Sequence, residues 1–325
     1  MPEIGGRRDF LLSIHFKSKT VLDLTTVICL VLIILATTGC FSNKNAAPNS
    51  SQTTRELIDD AGRSVSVPFR VERIISLAPN LTEIVYAVGA GDRLVGNTAY
   101  CDFPPAAKSV EKVGDTLHPS LERIIGLRPQ LVLVSTASQL EVFTQQLEAH
   151  NIAVFVTDPH DLEGVFRSIE RLGDITGQVV QAKQLVEQLR ARAIAVEAAV
   201  KEKQPVTVFY QLSGEPLYTA GHDAFVTDLI RRAGGVSVTS SVPGAWPKFS
   251  SESALAARPE AIVLPTGASM GEANSSVADA LKGSPAVRGG RVYKINDDIL
   301  VRPGPRAVDG LEEMARAFHP DAFKR

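Results

Sequence analysis

Residues 178–203 read QVVQAKQLVEQLRARAIAVEAAVKEK, with no Gly or Pro. Within them Ala182, Leu185, Leu189, Ala193, Val196 and Val200 recur at spacings of 3, 4, 4, 3 and 4, the period of one apolar helix face. At about 1.5 Å per residue such a helix spans roughly 35 to 40 Å, the width of a small domain. It therefore reads as a strut between two bodies rather than as a flexible linker.

Both sides of the strut alternate between strand and helix. Upstream, Glu56-Leu57-Ile58 and Val65-Ser66-Val67 flank Asp60-Ala61-Gly62-Arg63 as an entry hairpin. Strands follow at 73–77, 94–97, 131–135 and 153–157, with helices at 81–88, 121–127, 140–149 and 162–172. Asn80 and Glu83 stand three apart, the spacing of a reciprocal helix cap. Downstream the pattern restarts with 206–211, 225–233 closed by Gly234-Gly235, 261–264 and 291–294. This alternation predicts an α/β fold with mainly parallel sheets covered by helices on both faces.

One segment occurs twice. Ser120-x-Glu122, Arg128-Pro129 and the apolar run 132–134 match Ser250-x-Glu252, Arg258-Pro259 and 262–264 at a constant offset of 130. So long a period fits two related lobes on either side of the strut, each with a Glu at the start of a short helix. Such a carboxylate also favours a helix N-terminus by itself, by about 0.3 to 1 kcal/mol.

Composition narrows the function classes. With 34 Lys and Arg against 36 Asp and Glu in 325 residues, nothing points to a nucleic-acid partner. Three cysteines, Cys29, Cys40 and Cys101, do not make a disulfide scaffold. The six histidines, 15, 118, 150, 160, 222 and 319, lack the spacing of a zinc site. Gly304 has Arg306 where a dinucleotide loop needs its second Gly, and no Gly-x-Ser-x-Gly elbow supports a triad from Ser213, His160 and Asp161. No catalytic residue, metal or cofactor is expected.

The N-terminus reads as an export signal. Arg7, Arg8, Lys17 and Lys19 precede an apolar run at 27–36, too short to span a membrane. Ala36-Thr37-Thr38-Gly39-Cys40 behind it resembles a bacterial lipobox, with Thr37 where Leu is usual, which implies lipidation of Cys40. Arg7-Arg8-Asp9-Phe10-Leu11 is also similar to a twin-arginine signal. The expected organisation is a signal peptide at 1–39, a polar tether at 40–54, an α/β lobe at 55–176, the connecting helix at 177–204 and a second α/β lobe at 205–325.

The remaining chemistry sits in loops. Tyr100 precedes Cys101-Asp102-Phe103-Pro104-Pro105, and Trp246, the only Trp, lies in Pro243-Gly244-Ala245-Trp246-Pro247. Loops of this kind belong at strand ends, where open α/β sheets bind ligands and a large flat molecule can lie on an aromatic ring. A Trp between prolines equally serves to pin its loop to a core. Asp298 and Arg302, four apart, form either a site or a surface ion pair.

Arg73-Ile74-Ile75-Ser76-Leu77-Ala78-Pro79-Asn80-x-Thr82-Glu83, Tyr100-x-Asp102-x-Pro104-Pro105, Leu121-Glu122-Arg123-Ile124 and Trp246-Pro247 resemble the periplasmic vitamin B12-binding proteins. That family belongs to the helical-backbone metal receptors, substrate-binding subunits of ABC importers. The resemblance implies a class III solute-binding fold, two Rossmann-like lobes on one backbone helix, with a corrinoid such as cobalamin held between them and no enzymatic activity. It places Tyr100, Trp246, Asp298 and Arg302 in the ligand pocket and Glu122 and Glu252 at the lobe tips that dock on the permease dimer. Membrane attachment would run through Cys40. The loop Gly114–His118 departs from the pattern, with Thr116 where a cobalamin binder can have Trp. A haem or ferric-siderophore receptor is the nearest rival, favoured by a cleft lined with several Arg. More distant rivals are a cell-envelope hydrolase and a structural lipoprotein.

Overall fold

A computed structural model describes residues 54–135, 140–267 and 276–324; the signal, Cys40 and all of the tether but Thr54 lie outside them. Strands β1 (Thr54–Ile58) and β2 (Ser64–Pro68) form the expected antiparallel hairpin. Its turn closes at Gly62, whose φ of 76° suits a residue without a Cβ. Next come β3 (Ile74–Ser76), β4 (Leu94–Asn97), β5 (Leu131–Ser135) and β6 (Ala153–Thr157). They pair in parallel in the order β4-β3-β5-β6. The unbroken apolar run of β5 is buried, as a strand covered on both faces requires.

The second sheet is built from β7 (Val206–Gly214), β8 (Leu217–Thr219), β9 (Gly235–Ser237), β10 (Ala261–Thr266) and β11 (Val292–Asn296). Its parallel strands run β9-β7-β10-β11, and β8 folds back antiparallel on the far half of β7. Counted by order of appearance, the parallel part repeats the first sheet: second, first, third, fourth. The offset of 130 holds in backbone detail. Ser120 and Ser250 cap the short helices Leu121–Gly126 and Ser251–Ala256, accepting from the amides of Arg123 and Ser253. Arg128 and Arg258 end them at φ 47° and 48°, in the left-handed position that usually belongs to Gly.

The chain passes from the first sheet to the second through the helix Val179–Val200, about 33 Å long. Its buried face is Ala182, Val186, Leu189, Ala193, Val196 and Val200, so Val186 takes the place expected of Leu185, which packs half-buried beside it. It lies on helix Leu162–Ile175 at one end and helix Ala307–Phe318 at the other. At the first end Gly173 permits close approach, because a Cβ there would stand 2.2 Å from the Cβ of Ala182. At the second, Arg192 pairs with Asp309 at 2.6 Å and Glu312 at 2.8 Å. One apolar cluster runs through both halves, from Leu81 and Phe166 through Leu189 to Leu229 and Phe318.

The structure departs from the sequence reading at two helices. Helix Pro79–Ala87 starts two residues earlier than periodicity suggests, with Pro79 in its first turn and no side-chain cap at Ala78. Asn80 and Glu83 are therefore buried inside the helix instead of capping it. Helix Ala307–Phe318 went unread because Gly310 interrupts its pattern. That glycine is required by packing, since a Cβ there would meet the Ile299 carbonyl oxygen at 2.3 Å.

Candidate ligand cleft

The loops that leave the carboxyl ends of the parallel strands meet between the two sheets, where open α/β folds bind ligands. The loop after β4 carries Tyr100 and Asp102. Lys112 holds it from beneath, its Nζ donating to Asn97 Oδ1 at 2.7 Å and to the carbonyls of Cys101 and Ala107, each at 3.1 Å. Those bonds fix the start, middle and end of the loop while leaving Tyr100 54% exposed.

The facing loop follows β11. Asn296 caps the short helix Asp297–Leu300 by accepting from the Asp298 amide at 2.9 Å, and this sets Asp298 one turn before Arg302. Arg302 then pairs with Asp298 at 2.6 Å and, across the cleft, with Asp102 at 2.9 Å. Behind them Arg306 presents two nitrogens to Glu83, at 2.9 and 2.6 Å, and lays its guanidinium 4.1 Å from the centroid of the Phe103 ring. Arg302 approaches the same Glu83 at 3.7 Å. Burial pushes the Glu83 and Asp298 carboxyls above their usual range, although Arg306 and Arg302 act against it. At Asp102 burial also acts upward, but the Arg302 hydrogen bond and charge outweigh it and the group titrates low.

Trp246 stands on the second lobe's own loop. His222 and Gly221 donate their amides to the carbonyls of Val242 and Ala245, at 2.7 and 2.9 Å, and Asp223 accepts from the Gly244 amide at 2.9 Å. Beneath the indole lies Tyr210, fully buried, with ring centroids 6.0 Å apart and planes 44° apart. Its hydroxyl has no hydrogen-bond partner among the described residues, and burial pushes its titration up. Trp246 thus both pins its loop and stays 38% exposed.

The structure joins Asp298 and Arg302 to Asp102 and puts Tyr100 two residues away, while Trp246 belongs to a separate group on Tyr210. Glu122 and Glu252 stand exposed at their helix starts, with capping done by the serines before them. The paper triad does not assemble. Ser213 donates to the Pro216 carbonyl at 2.6 Å, His160 faces Asp158 at 3.1 Å, and Asp161 caps a helix by accepting from Gly164 at 2.6 Å. No group of three or more metal-ligating side chains occurs among the described residues. Glu83 and Arg306 were missed as site residues; the available signal was Pro79, which supplies a helix start without a side-chain cap.

A family model described as periplasmic binding protein matches residues 74–299, more than half of the chain. The chain belongs to the periplasmic binding protein family. It is 30% identical over 307 residues to a Bacillus subtilis protein named as an uncharacterized ABC transporter substrate-binding lipoprotein, YvrC, covering 91% of this chain and 96% of that one. It is 31% identical over 247 residues to the vitamin B12-binding protein of Photorhabdus laumondii, covering 76% and 88%. Among solved structures, the vitamin B12-binding protein BtuF of Vibrio cholerae superposes with a TM-score of 0.70 at 29% identity, over 79% of this chain and all of that one. The haem-binding protein RhuT of a Roseiflexus species matches with a TM-score of 0.69 at 25% identity, over 78% and 99%. This periplasmic binding protein therefore has the two-lobe, helix-joined fold of ABC-importer substrate receptors, which bind and deliver solutes without transforming them.

Proposed function

We propose that this periplasmic binding protein captures a corrinoid, cobalamin in particular, between its lobes and delivers it to an ABC importer. The observation that carries the reading is the composition of the cleft. Its two arginines, Arg302 and Arg306, face three carboxylates, Glu83, Asp102 and Asp298. Such a cluster has no surplus positive charge for haem propionates or a catecholate siderophore, whereas a ring edged with amides needs paired donors and acceptors beside exposed aromatic faces. Tyr100 and Trp246 supply those faces. The vitamin B12-binding names of several relatives support the same choice. The direct test is cyanocobalamin titration followed through Trp246 fluorescence. The signal should change on binding, and Trp246→Ala should weaken binding by about 1 to 3 kcal/mol, the range for losing a buried aromatic contact. A folded variant that binds as tightly as the parent would remove Trp246 from the pocket.

Two further roles belong to this reading. Glu122 and Glu252, exposed on equivalent helices of a repeated lobe, form a two-point charge pattern that a symmetric permease dimer reads through arginines. Reversing both to Arg should abolish uptake and leave cyanocobalamin affinity unchanged; normal uptake would reduce them to helix-end carboxylates. Cys40 anchors the receptor through lipid, so Cys40→Ser should move it out of the membrane fraction, and unchanged fractionation would refute the anchor.

A further inference from the structure

The two lobes each carry one carboxylate on the first helix after their first parallel strand: Glu83 on Pro79–Ala87 and Asp228 on Phe225–Arg232. They are connected differently. Asp228 is paired inside its own lobe, with Arg231 at 2.5 Å and Arg232 at 2.8 Å, and among the described residues reaches the other lobe by accepting the Leu162 amide at 3.1 Å. Glu83, 3% exposed at its side chain, takes both of its cations from the opposite lobe, Arg306 in a two-nitrogen fork and Arg302 at 3.7 Å.

The cleft follows this asymmetry. On the Glu83 flank the loops after β4 and β11 are closed against each other by Asp102 and Arg302 and by Phe103 under Arg306, and the helix after β3 joins them through Asn80, whose Nδ2 donates to the Pro303 carbonyl at 3.4 Å. On the Asp228 flank the loops after β6 and β9 leave a cavity of about 630 Å³ between the lobes, lined among others by His160, Asp161, His222 and Arg231. One flank is bolted by ion pairs and the other is hollow.

We propose that Glu83 is the positioning residue of the ligand cleft: it holds Arg302 and Arg306 of the far lobe in place, pins that flank, and confines opening to the flank of His160 and His222. The claim about ligand rests on the cleft reading given above; the claim about the pinned flank does not. Glu83 touches no ligand in this account and acts through Arg302. A carboxylate so buried cannot be replaced by water, and a guanidinium that loses a two-nitrogen partner loses its direction as well as its charge balance. With Glu83 gone, Arg306 has no fork to hold it over Phe103, and Arg302 is left to the two aspartates alone.

The test compares Glu83→Gln with Asp228→Asn in the full chain, by cyanocobalamin titration and by amide hydrogen exchange read by mass spectrometry. The Asn retains an oxygen to accept from Leu162 and serves as the control. Glu83→Gln should weaken cyanocobalamin binding at least tenfold and speed exchange in residues 99–107 and 297–306. Asp228→Asn should leave affinity and those two segments within twofold of the parent. Unchanged exchange in both segments, unchanged affinity in Glu83→Gln, or equal loosening by Asp228→Asn would overturn the proposal. A parent that fails to bind cyanocobalamin while Glu83→Gln still loosens both segments would refute the corrinoid reading and support the pinned flank. If Glu83→Gln does not fold, Arg306→Lys keeps the charge but not the fork; it should loosen the same segments, and wild-type exchange there would count against the proposal.

Discussion

The first lobe and the second are built to one plan and used to two ends. Their parallel strands share an order, their short helices share a serine cap, and Arg128 and Arg258 share a backbone conformation within one degree of φ. Yet Glu83 takes its cations from across the cleft while Asp228 takes its own at home, and Tyr100 rests on a loop held by an ammonium while Trp246 rests on a buried ring. The shared parts close the backbone of each sheet, where any departure breaks hydrogen bonds. The divergent parts are side chains at the strand ends, where a repeat is free to specialise.

The largest effect should come from breaking the interlobe pair. Arg306→Met strands Glu83 in the core and should lower unfolding free energy by about 3 kcal/mol, at the low end for a broken buried pair because Glu83 can take up a proton. Arg232→Met in the other lobe should lower it by about 1 kcal/mol, because Asp228 keeps Arg231 and the Leu162 amide. Equal losses in denaturant melts would erase the asymmetry.

The two ends of the strut come next. Gly173→Ala forces helices apart at Ala182 and should cost about 1 to 3 kcal/mol. Arg192→Ala removes half-exposed ion pairs at the other end and should cost less than about 1 kcal/mol. The reverse order would mean that charge, not close packing, seats the strut.

The smallest effect is also the most diagnostic, because the carboxylates on the two corresponding helices titrate in opposite directions. At Asp228 burial acts upward but the Leu162 amide and the two arginines prevail, so the group titrates below its ordinary 3.8. Its contribution is present above that value and is lost as the pH falls through the folded-state value. Glu83, raised above its ordinary 4.5 by burial, binds its proton more tightly folded than unfolded. Its contribution is therefore full below that value and falls as the pH rises through the raised one. Thermal melts between about pH 3 and pH 7 should show the deficit of Asp228→Asn shrinking on acidification and that of Glu83→Gln shrinking on alkalinisation. Parallel pH profiles would contradict the assignment.

What the sequence made legible was what a short window contains. The strut could be read from its period between residues 178 and 203, and the repeat from an offset of 130 that the strands preserve. The pocket positions could be named only through resemblance, since nothing near Asp298 announces that Arg302 will reach Asp102, 200 positions earlier. Glu83 shows the limit most clearly. Within four residues it looks like a reciprocal cap to Asn80, and its true partner Arg306 lies 223 positions away on the other lobe. Helix Ala307–Phe318 was hidden by Gly310, whose missing side chain serves Ile299 and says nothing about the local helix.

A cleft edged with aromatic rings and without surplus positive charge should select a corrinoid. Calorimetric titration of the receptor with cyanocobalamin, haemin and a ferric catecholate siderophore tests it most directly. Cyanocobalamin should bind saturably and one-to-one, and the other two at least tenfold more weakly, about 1.4 kcal/mol or more. Tight binding of haemin with none of cyanocobalamin would contradict it.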